Sequence, residues 1–181
     1  MKRVWAFLPL VVVAILGGFL FWGLNPDRDP NAIPSALVGK PPPTASLGPI
    51  PSIGGDGLNG DVVAEMDGVV LVNVFASWCL PCRAEHGTIT SLSKMAGVTV
   101  VGLNYRDTDS AAAAFLEELG NPYAAIGFDP AGMSGIDWGI SGVPETFIIK
   151  DGTVRFRFAG PIVGDGAKKI FFSELGEVQV Q

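Results

Sequence analysis

Two cysteines, one histidine and a shortage of basic side chains set the first limits on this 181-residue chain. The single histidine, His86, stands four residues after Cys82 and reads as an exposed helix residue. Together with Cys79 and Cys82 it supplies at most three strong metal ligands, short of a closed tetrahedral zinc site. Arg83, read as solvated, follows Cys82, so the Cys-x-x-Cys-His pattern of covalent haem attachment is missing. The net charge is −6; without Lys2 and Arg3 the remainder holds ten basic and eighteen acidic residues, a net −8. So acidic a domain is a poor partner for nucleic acid. No internal repeat is present.

Charge is also missing from the whole of Val4–Leu24, 21 consecutive positions. At about 1.5 Å per residue such a run covers roughly 30 Å, the thickness of a bilayer's hydrocarbon core. Lys2 and Arg3 before it orient the N-terminus toward the cytoplasm, and Trp5 and Trp22 suit the two interfaces. No Ala-x-Ala-like site follows, and the run exceeds the 7–15 residues of a signal-peptide core, which favours an uncleaved anchor. The organisation expected is therefore a cytoplasmic tip and anchor at 1–24, a Pro-rich polar linker at 25–34, and one domain at 35–181 outside the cytoplasm. That compartment permits disulfides.

Within the domain, 41–60 is rich in Gly and Pro and reads as loops and short edge strands. Beyond it strands and helices alternate. Strands are expected at 69–76, 98–105 and 123–128, and helices at 82–95, 110–119 and 133–138. A hairpin of 146–149 and 154–158 turns at Lys150-Asp151-Gly152-Thr153, and a helix at 166–175 closes the chain. This order describes an α/β sandwich with parallel strands first and antiparallel strands last.

Both cysteines fall at one junction of this pattern, Cys79-Leu80-Pro81-Cys82, between an apolar strand and a helix. A sulfur at a helix start meets unpaired N–H groups and the positive end of the dipole, which favours the thiolate. The second sulfur, one turn on, is placed to release a mixed disulfide. A permanent disulfide is the plainer reading, but so small a loop gives little stabilisation by chain entropy.

Trp78-Cys79-x-x-Cys82-Arg83-Ala84-Glu85-His86 after Leu71-Val72-Asn73-Val74-Phe75-Ala76, with Gly139-Ile140-Ser141-Gly142-Val143-Pro144-Glu145-Thr146-Phe147 before the hairpin, resembles the thioredoxin fold. Within it, Ser35–Pro41, Val101–Tyr105 and Glu118–Ala124 make the chain similar to the membrane-anchored CcmG/DsbE family of cytochrome c maturation. Leu80 and the segment Gly54–Gly60 depart from the family pattern. The resemblance implies that Cys79 is the nucleophile, shielded by Trp78, and Cys82 the resolving thiol, with Pro81 between them. It also implies that Pro144 is a cis-proline opposite the reactive sulfur, and that the Val143 backbone pairs with an incoming peptide. Asn73 occupies a strand position where many thioredoxins carry a buried Asp. Glu85 or Glu145 is expected to take over tuning and proton transfer at Cys82, the alternative being that both are solvated.

The resemblance further implies a periplasm-facing reductant, fixed in the inner membrane by residues 4–24. Its client would be the Cys-x-x-Cys-His pair of apocytochrome c or a maturation partner holding it. A CcdA/DsbD-type membrane donor would recharge it, and no cofactor is needed because the two sulfurs carry the electrons. Rivals are a general reductase of the TlpA/ResA kind and, from another class, a copper chaperone using Cys79 and Cys82 as soft Cu(I) ligands.

Overall fold

Val69–Phe75 is the strand around which the molecule is built, and all seven of its residues are buried. A run of Val, Leu and Phe without polar alternation suits a strand covered on both faces. In the computed structural model, which describes residues 8–23 and 35–180, this strand is β3. Before it come helix α1 (Leu8–Gly23), short strands β1 (Ser46–Leu47) and β2 (Leu58–Asn59), and helix α2 (Gly60–Glu65). After it follow α3 (Leu80–Leu92), β4 (Val98–Tyr105), α4 (Asp109–Leu119), β5 (Ile126–Asp129), α5 (Ser134–Asp137), β6 (Glu145–Lys150), β7 (Thr153–Ala159) and α6 (Gly164–Val180). The chain divides into two compact units, 1–32 and 33–181.

At about 1.5 Å per residue, the 16 residues of α1 cover about 24 Å. No helix among the described residues is long and apolar enough to cross a membrane. The ends of the expected span, residues 4–7 and Leu24, lie outside the described residues, as does the whole of the expected linker at 25–34 together with Lys2 and Arg3.

The second unit carries a five-stranded sheet in the order β5-β4-β3-β6-β7. β3, β4 and β5 are parallel; β6 and β7 are antiparallel to their neighbours. This is the mixed sheet that the alternating pattern implies. Crossovers β3–α3–β4 and β4–α4–β5 step across the sheet in one direction, and right-handed connections then place α3 and α4 on the same face. There Leu71, Phe75, Ile89, Phe115, Phe171 and Leu175 form one core, to which α6 contributes. Val70, Val72, Val74, Trp138, Phe147 and Ile149 form the core on the other face, covered by the β1–β2 ribbon, α2 and α5. Strand parity therefore assigns Asn73 and Thr146 to the α3 face and Glu145 to the opposite one.

Several boundaries differ from expectation for identifiable reasons. α3 starts at Leu80, before Cys82, because Cys79 caps it and Pro81 is tolerated in the first turn. β5 begins only at Ile126, where pairing with Gly102 starts. α6 runs past Leu175 because Val178 extends the buried stripe of Phe171 and Leu175. α2 was hidden in a Gly-rich stretch; Asn59 caps it, its side chain accepting the Asp61 N–H. The β6–β7 turn is as expected, with Asp151 and Gly152 both at positive φ.

Gly102 on β4 is required by packing. A Cβ there would lie 2.9 Å from Phe75 and 3.0 Å from Tyr123, whose rings stack at 4.8 Å. Gly102→Val is expected to cost about 1–3 kcal/mol through overpacking, read as a lowered thermal midpoint. An unchanged midpoint would mean that the stack yields freely.

Candidate active site

The carboxyl end of β3 turns through Ala76, Ser77 and Trp78 into α3, and Cys79 caps that helix. Its backbone is extended (φ −86°, ψ 105°), and its sulfur accepts the Cys82 N–H at 3.1 Å. Cys79 and Cys82 are joined as a disulfide. Pro81 stiffens the first turn between them. Both cysteines are buried, whereas the flanking Trp78 and Leu80 are 60% and 75% exposed. The Val143–Pro144 peptide bond is cis, and Val143 packs against the cluster that contains both cysteines.

Beneath the disulfide lies a closed polar network. The Asn73 amide donates to Glu85 Oε1 at 2.9 Å and to Thr146 Oγ1 at 3.1 Å. Asn73 Oδ1 accepts the Tyr123 hydroxyl at 2.8 Å. Glu85 Oε2 accepts the Ile162 backbone N–H at 2.8 Å. Glu85 is 1% exposed, so it is not the solvated carboxylate of the alternative reading, and it sits one turn after Cys82 on α3. Burial raises its pKa from 4.5 to about 7, with the bonds from Ile162 and Asn73 pulling the other way. Burial, and then the Glu85 charge, push Tyr123 well above its ordinary range, so its hydroxyl stays a donor.

Glu145 takes a different place from the one expected of it. It projects from the face of β6 opposite α3, away from Cys82. Its carboxylate pairs with Arg157, at 2.7 Å from Nη2 and 2.9 Å from Nε, with the two side chains 1% and 4% exposed. It also accepts the N–H groups of Ser141 and Gly142 and the Ser141 hydroxyl. Glu145 therefore anchors the loop leading into the cis peptide, and the candidate for proton transfer is Glu85 alone.

Two further expectations are corrected. His86 is buried between α3 and α4: its Nε2 lies 2.9 Å from the Gly120 carbonyl, to which it must donate, and its ring meets Phe115 edge-on at 5.3 Å. Burial lowers its pKa. Arg83 is half-exposed rather than free; it pairs with Glu118 at 2.7 Å and lies over the Phe115 ring. Sequence reasoning missed Tyr123 and Thr146. Asn73, a polar residue inside an apolar strand, was the signal that partners had to exist.

The Redoxin family profile matches residues 37–171. The chain is 41% identical over 160 residues to the thiol:disulfide interchange protein HelX of Rhodobacter capsulatus, covering 88% of each. It is 42% identical over 166 residues to the thiol:disulfide interchange protein DsbE of Escherichia coli K12, covering 90% of this chain and 88% of that one. The fold is shared with a crystal structure from Chlorobium tepidum titled thiol:disulfide interchange protein, thioredoxin family protein. The TM-score is 0.57 at 23% identity, over 78% of this chain and 97% of that one. The sheet and flanking helices are thus thioredoxin-like.

Glu85 carries a pH dependence that stability measurements can read. The folded chain holds its proton up to about pH 7, whereas the unfolded chain releases it near 4.5. Between those values the folded state binds the extra proton, so the contribution is full below pH 4.5 and is lost as pH rises through 7. His86, lowered by burial, acts with the opposite sign below its ordinary value and cancels when the two proteins are compared. Denaturant unfolding of the oxidised protein should show Glu85→Gln gaining on wild type by on the order of 3 kcal/mol from pH 4.5 to 8. Parallel stability curves would refute the assignment.

Proposed function

Because the chain belongs to the Redoxin family, and within it is a thiol–disulfide oxidoreductase of the DsbE and HelX kind, we propose that Cys79 and Cys82 are its reacting pair and that it works as a reductant in cytochrome c maturation. The observation that carries the assignment is the disulfide that caps α3. In the reduced protein, the N-terminus of α3 favours the Cys79 thiolate. That thiolate attacks one sulfur of a client disulfide, forming a mixed disulfide and freeing the other client sulfur. Cys82 then attacks Cys79 Sγ, the client sulfur bonded to it in the mixed disulfide leaves as a thiolate, and the Cys79–Cys82 bond closes.

Cys82 must lose its proton to do this inside a core from which water is excluded. Glu85, one helical turn away and titrating near 7, is the acceptor, since a base poised near ambient pH transfers protons most effectively. Asn73, held by Tyr123 and Thr146, orients it. The Val143 backbone beside cis Pro144 receives the client chain as a short added strand. Trp78 shields the nucleophile, and Glu145 acts indirectly by holding the Ser141–Gly142 loop.

The resemblance of the residues around the site to the CcmG/DsbE family supports apocytochrome c, or a maturation factor that holds it, as the client. It also supports a CcdA/DsbD-type protein as the membrane donor. The uncharged run 4–24 would tether the domain to the inner membrane, facing the periplasm.

The reduction potential of the full-length chain in defined thiol–disulfide buffers tests the direction of transfer. A value at or below about −200 mV is expected for a reductant, and one near about −120 mV would recast the protein as a disulfide donor. The role of Glu85 has its own signature. Glu85→Gln should slow release of a mixed disulfide and erase its pH inflection near 7, leaving the first attack by Cys79 unaltered. Unchanged release kinetics would remove Glu85 from the mechanism.

A further inference from the structure

Ser77 and Trp78, the link between β3 and the disulfide, are held by a neighbouring loop rather than by their own elements. Asp107, at the corner between β4 and α4, is 7% exposed. Its Oδ2 accepts the Ser77 N–H at 2.6 Å and the Asn104 amide at 3.0 Å. Its Oδ1 accepts the Ser77 hydroxyl at 2.7 Å and the Thr108 N–H at 2.9 Å. The residue before it, Arg106, sits at φ +49°, a conformation uncommon for a non-glycine side chain. In that conformation its carbonyl accepts the Trp78 indole N–H at 2.9 Å. The Arg106 N–H is spent on the Asp129 carbonyl, and its guanidinium lies over the Tyr105 ring. The corner is thus fixed from both sides and grips the two residues immediately before Cys79.

We propose that Asp107, with the Arg106 carbonyl, is a positioning residue for the thiol–disulfide reaction: it holds Ser77–Trp78 in the shape that the closed Cys79–Cys82 bond requires, and so sets how readily that bond is reduced. The proposal rests on the exchange function above. In equilibrium with glutathione, two glutathione thiols supply two electrons and two protons. The protein S–S bond breaks, two protein thiols form, and one glutathione disulfide is released. The equilibrium constant reports the difference between the oxidised and reduced proteins, so only interactions that differ between them move it. The clamp is matched to the closed bond and favours the oxidised form. Removing the carboxylate's charge acts in the same direction, because a thiolate at Cys79, two residues after the Ser77 that Asp107 binds, is no longer opposed by that charge. A carboxylate that merely supports the fold would stabilise both forms alike and leave the constant where it was.

The test uses full-length protein equilibrated with glutathione, with the dithiol fraction read by thiol alkylation and thermal midpoints taken separately for the oxidised and reduced forms. Asp107→Asn keeps the shape but turns an amide N–H₂ toward donors. It should shift the equilibrium about tenfold toward the dithiol, which is about 30 mV. Ser77→Ala removes one of the bonds and should shift it less, in the same direction. If Asp107→Asn does not fold, Ser77→Ala carries the test. Constants within twofold of wild type, with both forms losing thermal stability equally, would overturn the proposal. A wild-type protein that never equilibrates with glutathione would instead defeat the exchange function beneath it.

Discussion

The burial of one amide, Asn73, is the constraint on which the rest of the site depends. It sits in a strand with no exposed residue, flanked by Val72 and Val74. An unpaired polar group there would cost on the order of 1–3 kcal/mol, so each of its polar atoms has to be met. Three separate pieces of chain meet them: Glu85 from α3, Thr146 from β6 and Tyr123 from the loop before β5. Glu85 in turn binds the Ile162 N–H ahead of α6. One side chain thereby ties the helix carrying the cysteines to the strand that follows the cis peptide. The helix cannot shift without leaving buried donors or acceptors unpaired.

The two acids expected near the disulfide show how strand parity divides their work. Thr146 lies opposite Asn73 and Glu145 opposite Val74, so consecutive residues of β6 serve opposite faces of the sheet. On the far face Glu145 meets a full cation, Arg157, and breaking such a buried pair typically costs about 3–5 kcal/mol. That bond is suited to fixing the Ser141–Gly142 loop. On the near face Glu85 meets an amide and a single backbone N–H, and no cation among the described residues.

Much of this was legible in the sequence. The core strand and the hairpin turn follow from an unbroken apolar run and from Asp151-Gly152 between two strands, and the helix after the core strand was expected with its start two residues late, at Cys82. The cis geometry at Pro144 followed from resemblance. The side of β6 on which Glu145 falls was not legible, because a shift of one residue in register exchanges the two faces and register is a property of the paired strands. His86 was misplaced for a similar reason. α3 is covered twice, by the sheet and by α4, and its pattern of apolar residues reports only the first. Asp107 had no local signal, since its importance comes from Ser77, thirty residues earlier.

The buried acids of the second unit share one use. Glu85, Asp107, Asp129 and Glu145 each accept at least one backbone N–H from a loop: Ile162, then Ser77 and Thr108, then Met133 and Ser134, then Ser141 and Gly142. A domain poor in basic residues thus satisfies its loop donors with carboxylates instead of with further strand pairing. What separates the four is the supply of donors. Asp107 receives two backbone N–H groups, an amide and a hydroxyl; Asp129 two N–H groups and the Ser134 hydroxyl; Glu145 two N–H groups, a hydroxyl and the Arg157 guanidinium. Glu85 receives one N–H and one amide. Two neutral donors are too few to offset burial, and the carboxyl is left titrating near 7. The same device that pins the loops is supplied with fewer donors at Glu85, one helical turn after Cys82, the acid to which the proposed exchange assigns the proton.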